Sequence, residues 1–393
     1  MYDFMFDYPT KVYFGKDIVK KNLSSILSEV KETVMLAYGG GSIKRNGIYD
    51  DVMKAIHDAG KQVVEFSGIM SNPTYEKVLE GAAIARKNNV DLILAVGGGS
   101  VIDCCKIIAA QAVMEEDIWD LELKQGKLPT VTPIALGAIV TASGTGAEMN
   151  GGAVITNEHE NIKTGLFARA PKFAMLDPEY TMSVPFAQVI SGAFDTLSHA
   201  METYFGRSDE DNVSDDVAEA IMRNTIQNMK ILLKDPNNYT ARSNLMWDSA
   251  MAENGILKVG RITDFEAHQI EHQVEAYTDC NHGQGLAVIQ PVYYRMIYPY
   301  AITKFARFAR NVWNVQVDGN EEETAKAGIE ALETFIKECN LPTKLTDLKT
   351  KDDPSVLLTD ENLRKIADSC NTLKGGYKEL THDDIYEILK ACR

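Results

Sequence analysis

Two apolar runs that each break off into Gly-Gly-Gly-Ser constrain this fold most. Thr33–Tyr38 runs into Gly39, Gly40, Gly41 and Ser42, and Asp91–Val96 runs into Gly97, Gly98, Gly99 and Ser100. Short continuous apolar runs followed by helical patterning read as strands buried on both faces, as in a parallel sheet with helices packed on each side. Glycine lets the backbone turn sharply and approach a phosphate, and the N–H groups at the start of the next helix attract its charge. Neither copy is GxGxxG, so the usual dinucleotide fingerprint is absent. One such glycine run is often only a tight turn. Two at successive strand ends predict a nucleotide crevice, because ligands of open α/β sheets sit at the carboxyl ends of the strands.

The alternation continues through the first half. Lys11–Gly15 and Gln62–Phe66 read as strands, with helices over Asp17–Val30, Ile48–Ala59, Tyr75–Asn88 and Val101–Val113. Thr130–Leu136 and Phe173–Asp177 are further strand candidates, while Gly152–Thr156 and Lys163–Phe167 predict a hairpin. After Asp177 and Pro178 the apolar period becomes 3.6. Helices are expected over Ala187–Phe205, Ser214–Lys230, Thr240–Gly255, Ile262–Tyr277, Val288–Tyr300, Ala301–Val312, Glu321–Cys339, Asp360–Ala367 and Asp383–Cys392. The polar stretch 341–353 reads as a surface loop. The expected organisation is an α/β Rossmann-like parallel-sheet domain over residues 1–185 and an all-α domain over 186–393.

Composition narrows the partners. The 393 residues are 45% hydrophobic and 24% charged, an ordinary globular balance, with a net charge of −16. That charge weighs against nucleic acid and against an anionic membrane surface. No apolar run approaches the roughly 18 residues of a membrane span, and the acids among the first seven residues do not suit a secretory signal. The six cysteines form no CxxC, so reduced thiols and a cytoplasmic protein are expected. The adjacent Cys104 and Cys105 lie on an expected helix, with one facing the core.

Of seven histidines, four fall in two places: Asp195-Thr-Leu-Ser-His199, and His268-Gln-Ile-Glu-His272 followed by His282-Gly283. Residues four apart share a helix face, so Asp195 can point with His199, and His268 with His272. Alone, the Asp195 and His199 pair reads more readily as a helix-surface contact, and the His268 and His272 pair reads either way. Together with a further histidine before glycine they predict a site for a divalent cation of borderline hardness, Fe²⁺ or Zn²⁺. His57, His159 and His382 lie in polar surroundings and read as surface groups. A competing pattern is H-x-x-E-H, in which both histidines would bind zinc and Glu271 would activate water; it leaves the glycine turns, Asp195 and His199 unexplained.

These stretches resemble the iron-containing (group III) alcohol dehydrogenases, in particular their butanol dehydrogenase branch. The resemblance rests on Tyr38–Gly47, Gly97–Lys106, Thr141–Glu148, Pro171–Pro178, Asp195–His199 and His268–Gly283, and extends from the first strand to about residue 300. It implies a Rossmann-like domain, a helical domain and a cleft between them, with Asp195, His199, His268 and His282 as metal ligands. His272 would be a catalytic non-ligand. The pyrophosphate would lie against Gly98, Gly99 and Ser100, with Asp103 near the nicotinamide side. Thr141–Thr145, Asn150 and Lys163 would line the groove, and Asn72 would approach the adenosine half. Gln273 and Phe265 depart from the Glu and Trp that many members carry; the second would reshape the substrate pocket. A homodimer through the strand near Val12–Phe14 is also implied.

The implied reaction interconverts primary, butanol-like alcohols and aldehydes by hydride transfer. His272, one turn from His268, is the candidate proton relay. An acid suits a ribose 2′-hydroxyl, whereas a 2′-phosphate needs room and a cation. The turn around Gly39, Gly40 and Ser42 holds no acid, Lys44 is near, and relatives preferring NAD often place Asp where Gly39 stands. Glu65 is the acidic rival. The balance favours NADP(H) over NAD(H). Other chemistries on the same scaffold, a glycerol-type dehydrogenase or a dehydroquinate-synthase-like lyase, stay open alongside a non-catalytic binding protein. Glu148, after the glycine-rich loop, either caps a turn or shapes the groove.

Overall fold

The computed structural model describes residues 2–208, 210–350 and 359–393; residues 351–353 of the expected loop lie outside these. The chain divides into two compact units, Asp7–Pro185 and Phe186–Arg393, the second also taking in the residues up to Phe6.

The first unit is built on β1 (Lys11–Phe14), α1 (Ile18–Ser28), β2 (Thr33–Tyr38), α2 (Ser42–Arg45), α3 (Ile48–Asp58), β3 (Gln62–Phe66), α4 (Tyr75–Lys87), β4 (Leu92–Gly97), α5 (Gly99–Gln111), β5 (Ala135–Val140), β6 (Gly152–Asn157), β7 (Ile162–Phe167) and β8 (Phe173–Leu176). Six strands form one parallel sheet in the order β1-β8-β5-β4-β2-β3, and β6 and β7 make the expected antiparallel hairpin. Burial explains the continuous apolar strands: every residue of β4 is buried, as are β2 from Val34 on and β5 from Leu136 on. Val19, Leu23 and Leu27 of α1 and Val52 and Ile56 of α3 pack with them in one cluster. Helix α5 is buried from Val101 through Gln111. Cys104 and Cys105 are therefore both inside rather than one of them, and burial pushes the Cys104 thiol up to about 12.

Three expected boundaries move for identifiable reasons. The strand read at Thr130–Leu136 is β5, beginning only at Ala135, because Pro133 lacks the N–H a ladder needs. Its Gly137 is required: a Cβ there would lie 2.2 Å from the Phe173 ring on the neighbouring strand. In the second unit, the helix expected over Ile262–Tyr277 starts later, at Glu266, after an Ile262 bridge to Arg207 and a left-handed Phe265. The helix expected over Val288–Tyr300 starts earlier, at His282, where Asn281 caps it by accepting the Gln284 N–H.

The second unit comprises α6 (Phe186–Tyr204), α7 (Val213–Leu232), α8 (Tyr239–Glu253), α9 (Glu266–Thr278), α10 (His282–Ile297), α11 (Ile302–Trp313), α12 (Glu321–Glu338), α13 (Asp360–Ser369) and α14 (His382–Ala391). Phe205 and Phe305 stack at its centre, with Phe308 edge-on to Phe205 and Tyr204 and Tyr294 beside them. A buried ion network sits nearby. Asp215, wholly buried, accepts from Arg261 and from Lys304, and its other oxygen closes the capping box at the start of α7. Removing one partner of such a set strands the others' charge in a low dielectric. Asp215→Asn is accordingly expected to cost about 3 kcal/mol or more of folding free energy in denaturant titrations.

Candidate metal centre and coenzyme groove

Asp195 and His199 stand one turn apart on α6, His268 and His272 one turn apart on α9, and His282 opens α10. The Oδ1 atom of Asp195 lies 3.4 Å from His199 Nε2, 3.6 Å from His282 Nε2 and 3.8 Å from His268 Nε2. Ligands of one tetrahedral cation, at bonds of about 2.0–2.2 Å, stand roughly 3.3–3.6 Å apart. These separations exceed a hydrogen bond, and Asp195 Oδ1 and His268 Nε2 are buried without one. A buried acceptor and ring nitrogen left facing one point need an explanation. A cation held by three imidazoles and one carboxylate supplies it, and this donor set suits Fe²⁺ or Zn²⁺.

Buried carboxylates behind the imidazoles fix their orientation. His268 Nδ1 is bonded to Glu202, His282 Nδ1 to Glu271, and His199 Nδ1 to Glu253 at 3.0 Å. With each Nδ1 proton committed to a glutamate, the Nε2 lone pair of each ring is left for the cation. Two glycines make this possible. A Cβ on Gly283 would sit 2.3 Å from the Ser191 carbonyl, and one on Gly285 would sit 2.4 Å from Glu271 Oε1. Burial alone would push the Asp195 carboxyl up, but His199, His282 and His268 outweigh it and hold it well below the usual carboxylate range. Burial would likewise lower His268, yet Glu202 and Asp195 bring it up to about 9. The cluster thus draws positive charge to itself.

His272, also buried, packs its ring near-parallel to that of His282, 5.5 Å away, and meets His268 edge-on at 6.0 Å. Glu271, His272 and His282 offer ligand atoms within 4.8 Å of one another as well. Glu271 is wholly buried and already bonded to His282, so the H-x-x-E-H reading, which needs it to activate water, is not supported. Gln273 is bonded by the Ser369 hydroxyl.

In the sheet unit, β2 connects outward to β3 and the chain returns on the other side of β2 as β4. The crevice at that reversal is flanked by the two glycine turns. A Cβ on Gly39 would stand 3.1 Å from the Ile69 carbonyl, a tight approach; Gly40 is open; and Ser42 begins α2 after a left-handed Gly41. Gly98 caps α5, a Cβ on Gly99 would collide with Thr145 Oγ1 at 2.3 Å, and the Ser100 hydroxyl bonds the Ser71 carbonyl. Thr141 follows β5 and donates its N–H to Gly97 at 2.9 Å. Lys163 Nζ reaches Asn72 Oδ1 at 3.4 Å, and Asn150 Oδ1 accepts from Lys106 and from the Gly152 N–H. The fold brings all of these to the carboxyl ends of adjoining strands or to the hairpin beside them. Asp103 is the exception among the expected catalytic residues. One oxygen takes the Lys106 ammonium at 3.2 Å and the other the Val154 N–H at 2.9 Å, so it ties β6 to α5.

Comparison with known proteins settles the family. The model of the iron-containing alcohol dehydrogenases matches residues 9–178, and that of the Fe-containing alcohol dehydrogenase C-terminal domain matches 189–393. The chain belongs to the iron-containing alcohol dehydrogenase family. It is 38% identical over 396 residues to NADH-dependent butanol dehydrogenase A of Clostridium acetobutylicum, covering 99% of each chain. It is 33% identical to the NADPH-dependent aldehyde reductase YqhD of Escherichia coli, covering 100% of both. The crystal structure of NADH-dependent butanol dehydrogenase A from Thermotoga maritima superposes with a TM-score of 0.91 at 35% identity, over 100% of this chain and 99% of that one. This iron-containing alcohol dehydrogenase is an NAD(P)-linked oxidoreductase of alcohols and aldehydes.

The family resemblance in the sequence did not disclose Glu202, Glu253 or the supporting role of Glu271. Glu202 lies three residues after His199, and Glu271 three after His268, a helix-face spacing that was the available signal. Glu148 is buried within the short turn Ala147–Met149 after a left-handed Gly146. Burial pushes its carboxyl up to about 7, against its own backbone N–H and the Lys106 charge.

A raised folded-state pKa means the native chain holds a proton the unfolded chain has released. Glu148 therefore subtracts stability as pH climbs from the ordinary carboxyl range through about 7. Glu148→Gln is expected to raise Tm more at pH 8 than at pH 5, read by calorimetry. Gly285→Ala should push Glu271 off His282 and weaken Zn²⁺ binding about 10- to 100-fold in equilibrium dialysis.

Proposed function

We propose that this protein is a metal-dependent reductase of short- to medium-chain aldehydes, running in reverse as a primary-alcohol dehydrogenase, with NADP(H) preferred over NAD(H). The observation that carries the reading is the convergence of three imidazole Nε2 atoms on one Asp195 oxygen, each ring backed by a buried glutamate. Asp195, His199, His268 and His282 are assigned as ligands of Fe²⁺ or Zn²⁺. Such a cation would act as a Lewis acid toward negative charge on the substrate oxygen. Gly98, Gly99 and Ser100 present backbone N–H groups to the pyrophosphate at the start of α5. His272 is assigned the transfer of a proton between the substrate oxygen and water.

The coenzyme preference rests on Glu65 and Lys44. The Glu65 carboxylate accepts from Tyr38 at 2.6 Å, Tyr49 at 2.7 Å and Lys44 at 3.2 Å. Tyr38 and Tyr49 hold it below the usual range, with Lys44 assisting. An acid so occupied is a poor acceptor for a ribose 2′-hydroxyl, whereas Ser42 and Lys44 suit a 2′-phosphate. Relatives named for NADH and for NADPH both exist, so these residues decide the reading.

The butanol branch suggests C4 substrates. No helix among the described residues is long and apolar enough to cross a membrane, and we place the protein in the cytoplasm. Strand β1 is one of the sheet's two outer strands, with Phe14 exposed, and we assign homodimer formation to that edge.

The test is metal analysis of the purified protein beside NADH- and NADPH-coupled assays over C2–C6 aldehydes, before and after chelation. Stoichiometric metal, net NADPH oxidation with butyraldehyde and loss of rate on chelation are expected; undiminished turnover by thoroughly metal-free protein would reject the reading. His268→Ala should abolish turnover, while His272→Ala should leave a residue after a loss of roughly 10²–10⁴-fold. Equal, mild losses from both would remove the cation from the mechanism. Sedimentation showing only monomer at micromolar concentration would reject the dimer.

A further inference from the structure

The three glutamates behind the imidazoles do not hold them alike. Glu202 bonds His268 Nδ1 and also accepts the Ala267 N–H at 2.8 Å, so it is locked to the start of α9. Glu271 is wholly buried against His282. Glu253, at the end of α8, divides its charge: Oε1 faces His199 Nδ1 at 3.0 Å while Oε2 pairs with Lys258 Nζ at 2.8 Å. The Lys258 ammonium also stands 5.0 Å over the ring of Phe265. That ring packs 5.7 Å from His199 and 5.2 Å from His268. Phe265 has φ of 64°, a conformation that costs a bulky side chain energy and persists where its surroundings hold it.

We propose that Lys258 is a positioning residue that weakens the grip of His199 on the bound cation and so makes it the one adjustable ligand of the centre. A carboxylate accepting from a ring N–H raises the donor strength of that ring's other nitrogen. A lysine on the same carboxylate draws part of this charge away, and its own positive charge opposes the cation directly. Lys258 is 37% exposed at its side chain while Glu253 is 7% exposed, so solvent screens the effect without cancelling it. A ligand held less firmly can yield room when a substrate oxygen arrives, while His268 and His282 stay fixed. This inference rests on the metal-centre reading above.

The experiment measures Zn²⁺ affinity and release to a chelator at pH 8 for the full-length wild type, Lys258→Met, Lys258→Arg and Glu253→Gln. Lys258→Met is expected to bind Zn²⁺ about three- to tenfold more tightly and to release it correspondingly more slowly. Lys258→Arg should match wild type, and Glu253→Gln should bind about 10- to 100-fold more weakly. The sign separates positioning from damage, because a merely structural lysine would loosen the site when lost. Wild-type-like or weaker binding by Lys258→Met overturns the inference and leaves the metal reading intact. Failure of the wild type itself to take up Zn²⁺ brings down both.

Discussion

One carboxylate oxygen, that of Asp195, faces three imidazole nitrogens across gaps too long for hydrogen bonds and suited to a shared cation. The helical unit is arranged to keep that situation tolerable. Left alone, a buried carboxylate among buried rings would take up protons or distort. Here the buried carboxylates of Glu202, Glu253 and Glu271 fix each ring from behind. Each supporting acid sits where a helix start, a helix end or a glycine allows it to come close. Gly285 is the clearest case, since any side chain there would occupy the space Glu271 needs.

The sheet unit solves a different problem. A dinucleotide brings negative charge to a chain that already carries an excess of it. Attraction must then be local, from backbone N–H groups at helix starts rather than from a basic surface. The two glycine turns sit at the crevice where the strand order reverses, and close packing against Thr145 favours glycine at Gly99. Asp103 and Lys106, both buried, lock the hairpin to α5 at the side of this crevice. An acid in that place holds the wall of the groove and need not touch what the groove contains.

Much of the candidate site was legible because its spacing is the spacing of helices. Asp195 with His199, and His268 with His272, announce a shared face, and a chain with so few histidines makes the coincidence conspicuous. The acids behind them were not legible, because glutamates three residues along a helix are ordinary on any solvated surface. Only burial separates Glu202 from an exposed neighbour. The same limit applied to strand and helix ends: Pro133 delayed β5, and the left-handed turn at Phe265 delayed α9.

By itself the sequence determined the alternation of strand and helix, the glycine turns, the all-helical second half and the donor atoms available for a cation. These follow from local periodicity and side-chain chemistry, which need no knowledge of distant contacts. Tertiary structure alone decided which nitrogen of each histidine points inward, that Asp103 is spent on β6, that Glu65 is occupied by two tyrosines and a lysine, and that Lys258 shares the carboxylate holding His199. Each of those depends on groups that only the folded chain brings together, where an interaction's strength is set by who else is near.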